Sequence, residues 1–506
     1  MISVQKIGEG LKEKITKTST ETVKKMTGKV ISVGDGVIHI QGLEEVKYNE
    51  ILEVQGGYKA LALNLMSDSI GAVLFSGASA VKVGDPVYSS GAIATMPVSD
   101  AMLGRVVDAL GSPIDGLAPI QPKAYRNIEY PAPSIMDRDK VNEPLQTGIL
   151  AIDSMIPIGK GQRELIIGDR QTGKTAIAID TILNQKGKNM ICIYASIGQK
   201  ASTLAKVITT LQNNGAMEYT CIVASCADES ATMQYMTPYS ACALAEYFMY
   251  QGKDVLIVYD DLSKHAVAYR TMSLLLKRPS GREAYPGDVF YLHARLLERA
   301  AKLSKELGGG SITALPIVET LAGDISAYIP TNVISITDGQ IYLESELFNS
   351  GMRPAVNVGL SVSRVGGSAQ KKAIRQVSGQ LRVNLAQYRE LAIFMQFGSD
   401  LDMETKRTLS QGAKMTETLK QKQYTNYSVK DMIILLVLIQ SEIINKIPIK
   451  EMTKFNEGFL EFIHANHASL MDEIDPDQTI TSELMQKIKD IASGYCKIAV
   501  SHPDNV

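Results

Sequence analysis

Residues Gly168, Asp169, Arg170, Gln171, Thr172, Gly173, Lys174 and Thr175 read glycine, any four residues, glycine, lysine, threonine. That spacing has a definite chemistry, the binding of a nucleoside triphosphate with its magnesium ion. Backbone N–H groups of a glycine-rich loop wrap the phosphates, the lysine reaches the terminal phosphates, and the threonine hydroxyl joins the metal shell. The flanks suit it. Glu164–Ile167 reads as a buried strand running into the loop, and Lys174–Gln185 reads as a helix leaving it. A glycine turn with an incidental lysine would not need that context.

A phosphate loop needs a second half. The apolar run Val255–Tyr259 ends in Asp260-Asp261. A carboxylate after an apolar strand holds the magnesium shell in such sites, which assigns Asp260, with Asp261 as the alternate. Hydrolysis further requires a group that orients or deprotonates water. The strand after the loop helix leads into Ser196–Lys200, where a glutamate would be a base. Gln199 stands there instead, and its amide has no proton to exchange in the useful range. The alternative is that Gln199 is an ordinary loop residue and the base lies elsewhere. Arg364 lies among the small residues of Pro354–Gly367. Small neighbours let another surface approach, so its guanidinium could reach the γ-phosphate of an adjoining subunit. A lone arginine in a glycine-rich loop is more often a structural ion-pair donor.

The elements that position these groups follow from composition and pattern. At 506 residues, with 45% apolar content, the chain is long enough for two to four domains. Fifty-two basic residues face 54 acidic ones, for a net charge of −2. No basic excess supports nucleic-acid binding, and with no Trp and 6% aromatics base-stacking surfaces are scarce. Cys192, Cys221, Cys226, Cys242 and Cys496 form no CxxC pair, which suits free thiols in a reducing compartment. The longest unbroken apolar run, Met432–Ile439, is too short to span a membrane and reads as a core helix. The N-terminus shows no apolar signal-type stretch. Val4, Ile7, Leu11 and Ile15 instead mark an amphipathic helix, packed on the chain's own core or docking a partner.

Residues 26–95 alternate short β-rich runs with glycine turns, as in Lys29–Val33 and Val37–Ile40, which predicts a small β-barrel. Tyr130-Pro131-Ala132-Pro133 marks an ordered linker. Strand candidates Met190–Ala195, Tyr219–Ala224, Asp254–Tyr259, Ser311–Pro316 and Val333–Ile336 alternate with helices. That is a parallel sheet with crossovers, whose ligands bind at the C-terminal strand ends. Helical stretches follow at Gln370–Phe397, Asp402–Gln421, Val429–Asn445 and Glu483–Val500. The expected fold is multidomain α/β. Its expected parts are an N-terminal extension at 1–25, a β-barrel at 26–95, a P-loop RecA-like α/β domain at 96–370 and an α-helical bundle at 371–506.

Together these pieces resemble the α subunits of F-type ATP synthase heads, from about residue 26 to the end. The most specific stretches are Glu143–Gly148 with Ala151–Ser154, the loop Gly168–Thr175, Tyr259–Lys264, Pro354–Ser363, and the α-type run Phe397–Asp402. The resemblance implies an α3β3 hexamer of alternating α and β subunits around a rotating γ shaft. It also implies a site that binds Mg-ATP without turning it over, because the catalytic glutamate of β subunits corresponds to Gln199. Arg364 becomes an arginine finger acting on the β site next door. Arg353 and Pro354, with Gln421 and Gln423, frame the adenine, and Gln171 contacts phosphate. The N-terminal helix would dock the δ subunit of the stator, although Gly8 and Gly10 interrupt it. The location implied is peripheral, on the cytoplasmic face of a bacterial membrane, or on an organelle's inner or thylakoid membrane. A self-sufficient hexameric export ATPase, the competing reading, would keep a glutamate at position 199.

Overall fold

A computed structural model describes residues 27–395 and 402–501. The expected N-terminal docking helix, and Phe397–Leu401 of the α-type run, lie outside the described residues. The chain forms two compact units, one up to Ala94 and one from Thr95 onward.

In the first unit β1 (Thr27–Gly34), β2 (Val37–Gln41), β3 (Glu50–Val54), β4 (Tyr58–Leu65), β5 (Ile70–Leu74) and β6 (Pro86–Ile93) close into a barrel. The strand order is β1-β2-β5-β4-β3-β6, and every pairing is antiparallel. Alternation sends Val30, Ile38, Ile40, Leu52, Val54 and Val87 to the core, while intervening residues face outward. Closure removes the open edges that short antiparallel strands would otherwise present.

The second unit begins with β7 (Thr95–Val98), β8 (Val106–Val107) and β9 (Ala124–Asn127), then β10 (Pro144–Leu145) and β11 (Ile158–Gly159). There follow β12 (Leu165–Asp169), β13 (Met190–Gln199), β14 (Thr220–Cys226), β15 (Asp254–Asp260), β16 (Ser311–Thr320), β17 (Gly339–Leu343) and β18 (Val362–Ser363). Eight of these form one sheet in the order β18-β17-β12-β16-β15-β13-β14-β8. Neighbours from β17 to β8 are parallel, and β18 adds one antiparallel edge. All ten residues of β13 are buried, as a strand covered on both faces requires. The covering helices include Lys174–Leu183, Ala201–Asn213, Ala231–Met249 and Leu262–Leu275.

Beyond the sheet the chain is helical. Val429–Ile439 starts with a capping box between Ser428 and Asp431, and Met432–Ile439 is buried throughout. The predicted stretch Gln370–Phe397 is two helices, Lys372–Ser378 and Leu381–Met395, separated at Gly379-Gln380. The stretch Val429–Asn445 ends its α-helix at Ile439 and continues as a 3₁₀ turn, Glu442–Lys446. Met452–Asn466, which the sequence reading omitted, is a further helix burying Phe455, Phe459 and Ile463. One expected strand is wrong. Val333–Ile336 lies in the helix Tyr328–Ile336, and the strand is the next segment, β17. A short β-branched run cannot by itself tell strand from buried helix. Pro330 sits in that helix's first turn, where its missing N–H costs nothing.

A buried ion network ties the helix Ala231–Met249 to the chain on either side of it. Glu246 and Arg299 are each 1% exposed at the side chain and meet at 2.7 Å. Arg126 reaches the other carboxylate oxygen at 2.8 Å, and Arg299 also donates to the Ile128 carbonyl. Removing one partner of a buried pair strands the other's charge. Arg299→Met should therefore lower the unfolding free energy of this unit by about 3–5 kcal/mol. The double change with Glu246→Leu should recover part of that loss, both read from denaturant midpoints.

Candidate nucleotide-binding site

The site is built where parallel strands end. Gly168 of β12 pairs with Glu319 of β16 and with Leu343 of β17. A Cβ at Gly168 would lie 2.4 Å from the Leu343 carbonyl oxygen, so only glycine lets the loop leave the sheet here. Gly173 has φ +98, the left-handed conformation that glycine adopts without strain, and turns the chain into the helix Lys174–Leu183. Asp169 fixes the start of the loop. It accepts hydrogen bonds from Thr320 Oγ1 (2.7 Å), the Gly323 N–H (2.8 Å) and Ser345 Oγ (2.9 Å). Burial works against its ionised form, but these donors outweigh it and hold the carboxyl below its ordinary value.

Lys174 is 8% exposed, and its ammonium donates to the Gly168 carbonyl at 2.8 Å and to the Asp169 carbonyl. Burial lowers its pKa, against the opposing charges of Glu319, Asp261, Asp260 and Asp169. Arg170 and Gln171 stand exposed on the loop, and Gln171 has φ +66. Thr172 is buried, with its hydroxyl on the Asp169 carbonyl.

Thr175 Oγ1 donates to Asp260 Oδ2 at 2.7 Å, which brings together the hydroxyl and the carboxylate that were expected to share a metal shell. Tyr194, from β13, donates to the same oxygen at 2.7 Å. Burial raises the Asp260 pKa, the neighbouring Asp261 charge adds to it, and the two donors act against both. Asp261 has a different task. It caps the helix Leu262–Leu275 by accepting from the Lys264 N–H, and it pairs with the Lys264 ammonium at 2.7 Å. Gln199 ends β13 and donates from Nε2 to the Asp260 carbonyl at 3.3 Å. Its amide thus meets the end of β15, next to the carboxylate that Thr175 touches.

A cleft of about 420 Å³ extends from Thr172 and Gly173 toward the C-terminal helices. Arg353, Pro354, Gln421 and Gln423 all line it, together with Phe348, Ile177 and Asp180. The Arg353 guanidinium lies 4.5 Å from the Phe348 ring centroid and makes a flat wall. Gln421 is occupied by the backbone. It donates to the Gly148 and Thr425 carbonyls and accepts from the Leu150 N–H. Sequence reasoning missed Tyr194, Phe348 and Asp180. A buried tyrosine on a strand and an aspartate inside a helix carry no motif, and only the tertiary arrangement aims them at the site.

Arg364 stands apart from this cluster. It follows β18, its side chain is exposed, and it makes no ion pair among the described residues. Its backbone is fixed: the Arg364 N–H donates to the Asp338 carbonyl at 2.8 Å, and Asp338 is held by Arg163 in a two-pronged pair at 3.0 and 2.8 Å. Among the described residues no group of His, Cys, Asp and Glu could hold a metal by itself, and no helix is long and apolar enough to cross a membrane.

This barrel, sheet and helical array define a phosphate-loop nucleotide-binding chain of the ATP synthase alpha/beta type. Residues 148–363 match the nucleotide-binding domain of that family, 23–91 its beta-barrel domain and 370–495 its C-terminal domain. The chain is 59% identical over 486 residues, covering 96% of both, to the ATP synthase subunit alpha of Acetivibrio thermocellus. It is 58% identical over 488 residues to that of Clostridium botulinum strain Eklund 17B, covering 96% of this chain and 97% of the relative. The likeness to the subunit of Caldanaerobacter subterraneus subsp. tengcongensis is 57% over 488 residues, 96% of each. The chain belongs to the family of ATP synthase alpha subunits.

Tyr194→Phe isolates the support of Asp260. Without the phenol the buried carboxylate keeps one neutral side-chain donor, so unfolding free energy should fall by about 1–3 kcal/mol. The loss should be largest above the raised pKa of Asp260, where the group is ionised, and should shrink as pH falls below it. Denaturant titrations over a pH series measure both effects.

Proposed function

We propose that this chain is the non-catalytic, nucleotide-binding subunit of a rotary ATP synthase head, and that it lends an arginine to the catalytic site of a neighbouring β subunit. The complex would make ATP from ADP and phosphate at the expense of a transmembrane ion gradient. The observation that carries the reading is the pairing of a complete phosphate loop with an amide, Gln199, at the edge where a base would stand.

The residues present fit Mg-ATP. The loop from Gly168 to Thr175 offers backbone N–H groups at a helix N-terminus, Lys174 a cation, and Thr175 with Asp260 two oxygens 2.7 Å apart. A bound magnesium ion would neutralise phosphate charge and fix its geometry. Arg353, Pro354 and Phe348 would enclose the base, with Gln421 and Gln423 beside it. Turnover at this site lacks its proton acceptor, since neutral Gln199 accepts a hydrogen bond but takes no proton. The site would then hold its nucleotide and stabilise the subunit and its contacts by mass action.

Arg364 supplies the second role. An exposed guanidinium that makes no ion pair among the described residues, though its charge is felt by buried Glu164, stands on a backbone held through Asp338 and Arg163 and could reach a neighbour. In phosphoryl transfer such a group stabilises the charge that develops on the transferred phosphoryl. The partners that follow are β subunits in an α3β3 ring, the γ shaft within it, and a δ subunit at the N-terminus. The complex would sit peripherally on the cytoplasmic face of a bacterial membrane.

Arg364→Ala should leave Mg-ATP binding by this chain within about twofold of wild type, yet cut steady-state hydrolysis by the assembled head about 10³-fold or more. Equilibrium binding on the free chain and turnover of the reconstituted head check the two halves. A mutant head with wild-type multisite turnover would remove the finger. Lys174→Ala should weaken binding here by about 10- to 100-fold, the effect of losing a charge-assisted contact, while single-site hydrolysis by the hexamer survives. Complete loss of that hydrolysis in an intact hexamer would contradict a purely non-catalytic site.

A further inference from the structure

The cleft contains a carboxylate that the phosphate and metal chemistry does not use. Asp180 lies on the phosphate-loop helix, 7% exposed, and lines the cleft beside Ile177, Phe348 and Gln423. Its Oδ1 accepts the Tyr424 N–H at 2.8 Å, and its own backbone carbonyl accepts from Asn426 Nδ2 at 2.9 Å. Its other carboxylate oxygen has no hydrogen-bond partner among the described residues. Burial, opposed by the Tyr424 hydrogen bond, pushes its pKa up to about 6.

From these observations we infer that Asp180 is the residue by which this site selects a 6-amino purine. The inference rests on the reading of the cleft as a base pocket. An ionised carboxylate can only accept, so the free oxygen would accept a hydrogen bond from an exocyclic amino group and repel a 6-oxo group. The residues that first suggest base recognition do less. Gln421 has spent both amide protons on backbone carbonyls, and Gln423 is exposed at the mouth. Glu457, the other carboxylate lining the cleft, is paired with Lys422 at 2.8 Å. Position also favours Asp180. Six residues after Lys174, it lies about 9 Å farther along the same helix axis, so one rigid element carries the phosphate contact and the base contact. That Asp180 also holds the 424–426 segment makes the base contact and the cleft wall one structure.

The test compares ATP with ITP, which carries an oxo group and an N1 proton in place of the 6-amino pattern. Binding of each, with magnesium, is measured on the full chain as wild type and as Asp180→Asn. The asparagine keeps an acceptor for Tyr424 and can turn its amide protons toward an oxo group. Wild type should prefer ATP by about tenfold or more, and Asp180→Asn should bring the ratio near unity, mainly by improving ITP. Equal affinities in the wild type, or an unchanged ratio in the variant, would overturn the role of Asp180 and leave the nucleotide site standing. Failure of the wild-type chain to bind either nucleotide would remove the base-pocket reading and this inference with it. Equal wild-type affinities overturn the role even if Asp180→Asn does not fold, and in that case Asp180→Ala, which should likewise lower the ATP preference, carries the comparison.

Discussion

A buried ammonium governs this structure. Lys174 is withdrawn from water at the end of a parallel sheet, a placement that costs several kcal/mol unless neighbouring groups compensate it. Two carbonyls of its own loop do so directly, and the charges of Glu319, Asp261, Asp260 and Asp169 do so at longer range. The three aspartates are in turn fixed by other groups. Asp169 is held by Thr320, Gly323 and Ser345, Asp260 by Thr175 and Tyr194, and Asp261 by a helix cap and Lys264. The sheet order explains why this is possible. β12, β16, β15 and β13 are adjacent and parallel, so their C-terminal ends deliver one functional segment each to the same place.

Most of this was legible before any coordinates. A phosphate loop is a local pattern, and so is an aspartate closing an apolar strand. The parallel sheet announced itself as apolar runs separated by helices, and the barrel as short strands between glycine turns. What stayed hidden depends on contacts distant in sequence. Tyr194 has no signature because the oxygen it bonds belongs to a residue 66 positions away. Asp180 looks like one polar residue in an amphipathic helix until the segment at Tyr424 closes over it, 244 residues on. The misplaced strand at Val333–Ile336 has the same origin. Its pattern fits both states, and pairing of β17 with β12 decides which segment extends the sheet.

The geometry also separates two aspartates that the sequence left as alternates. Asp260 touches the loop hydroxyl, whereas Asp261 spends its carboxylate on a helix N-terminus and a lysine. Gln199 is likewise committed. Its amide donates to the Asp260 backbone, which ties the end of β13 to the end of β15.

The glutamine at 421 shows how a cleft-lining residue can act without addressing the ligand. Its three backbone contacts join the segment after the helix Met403–Thr418 to Gly148, Leu150 and Thr425. Asp180 and Asn426 make a second set of bonds a few residues on, and the Tyr427 N–H adds another on the Gly148 carbonyl. The cleft wall is therefore a clasp between the C-terminal helices and the helix that carries Lys174.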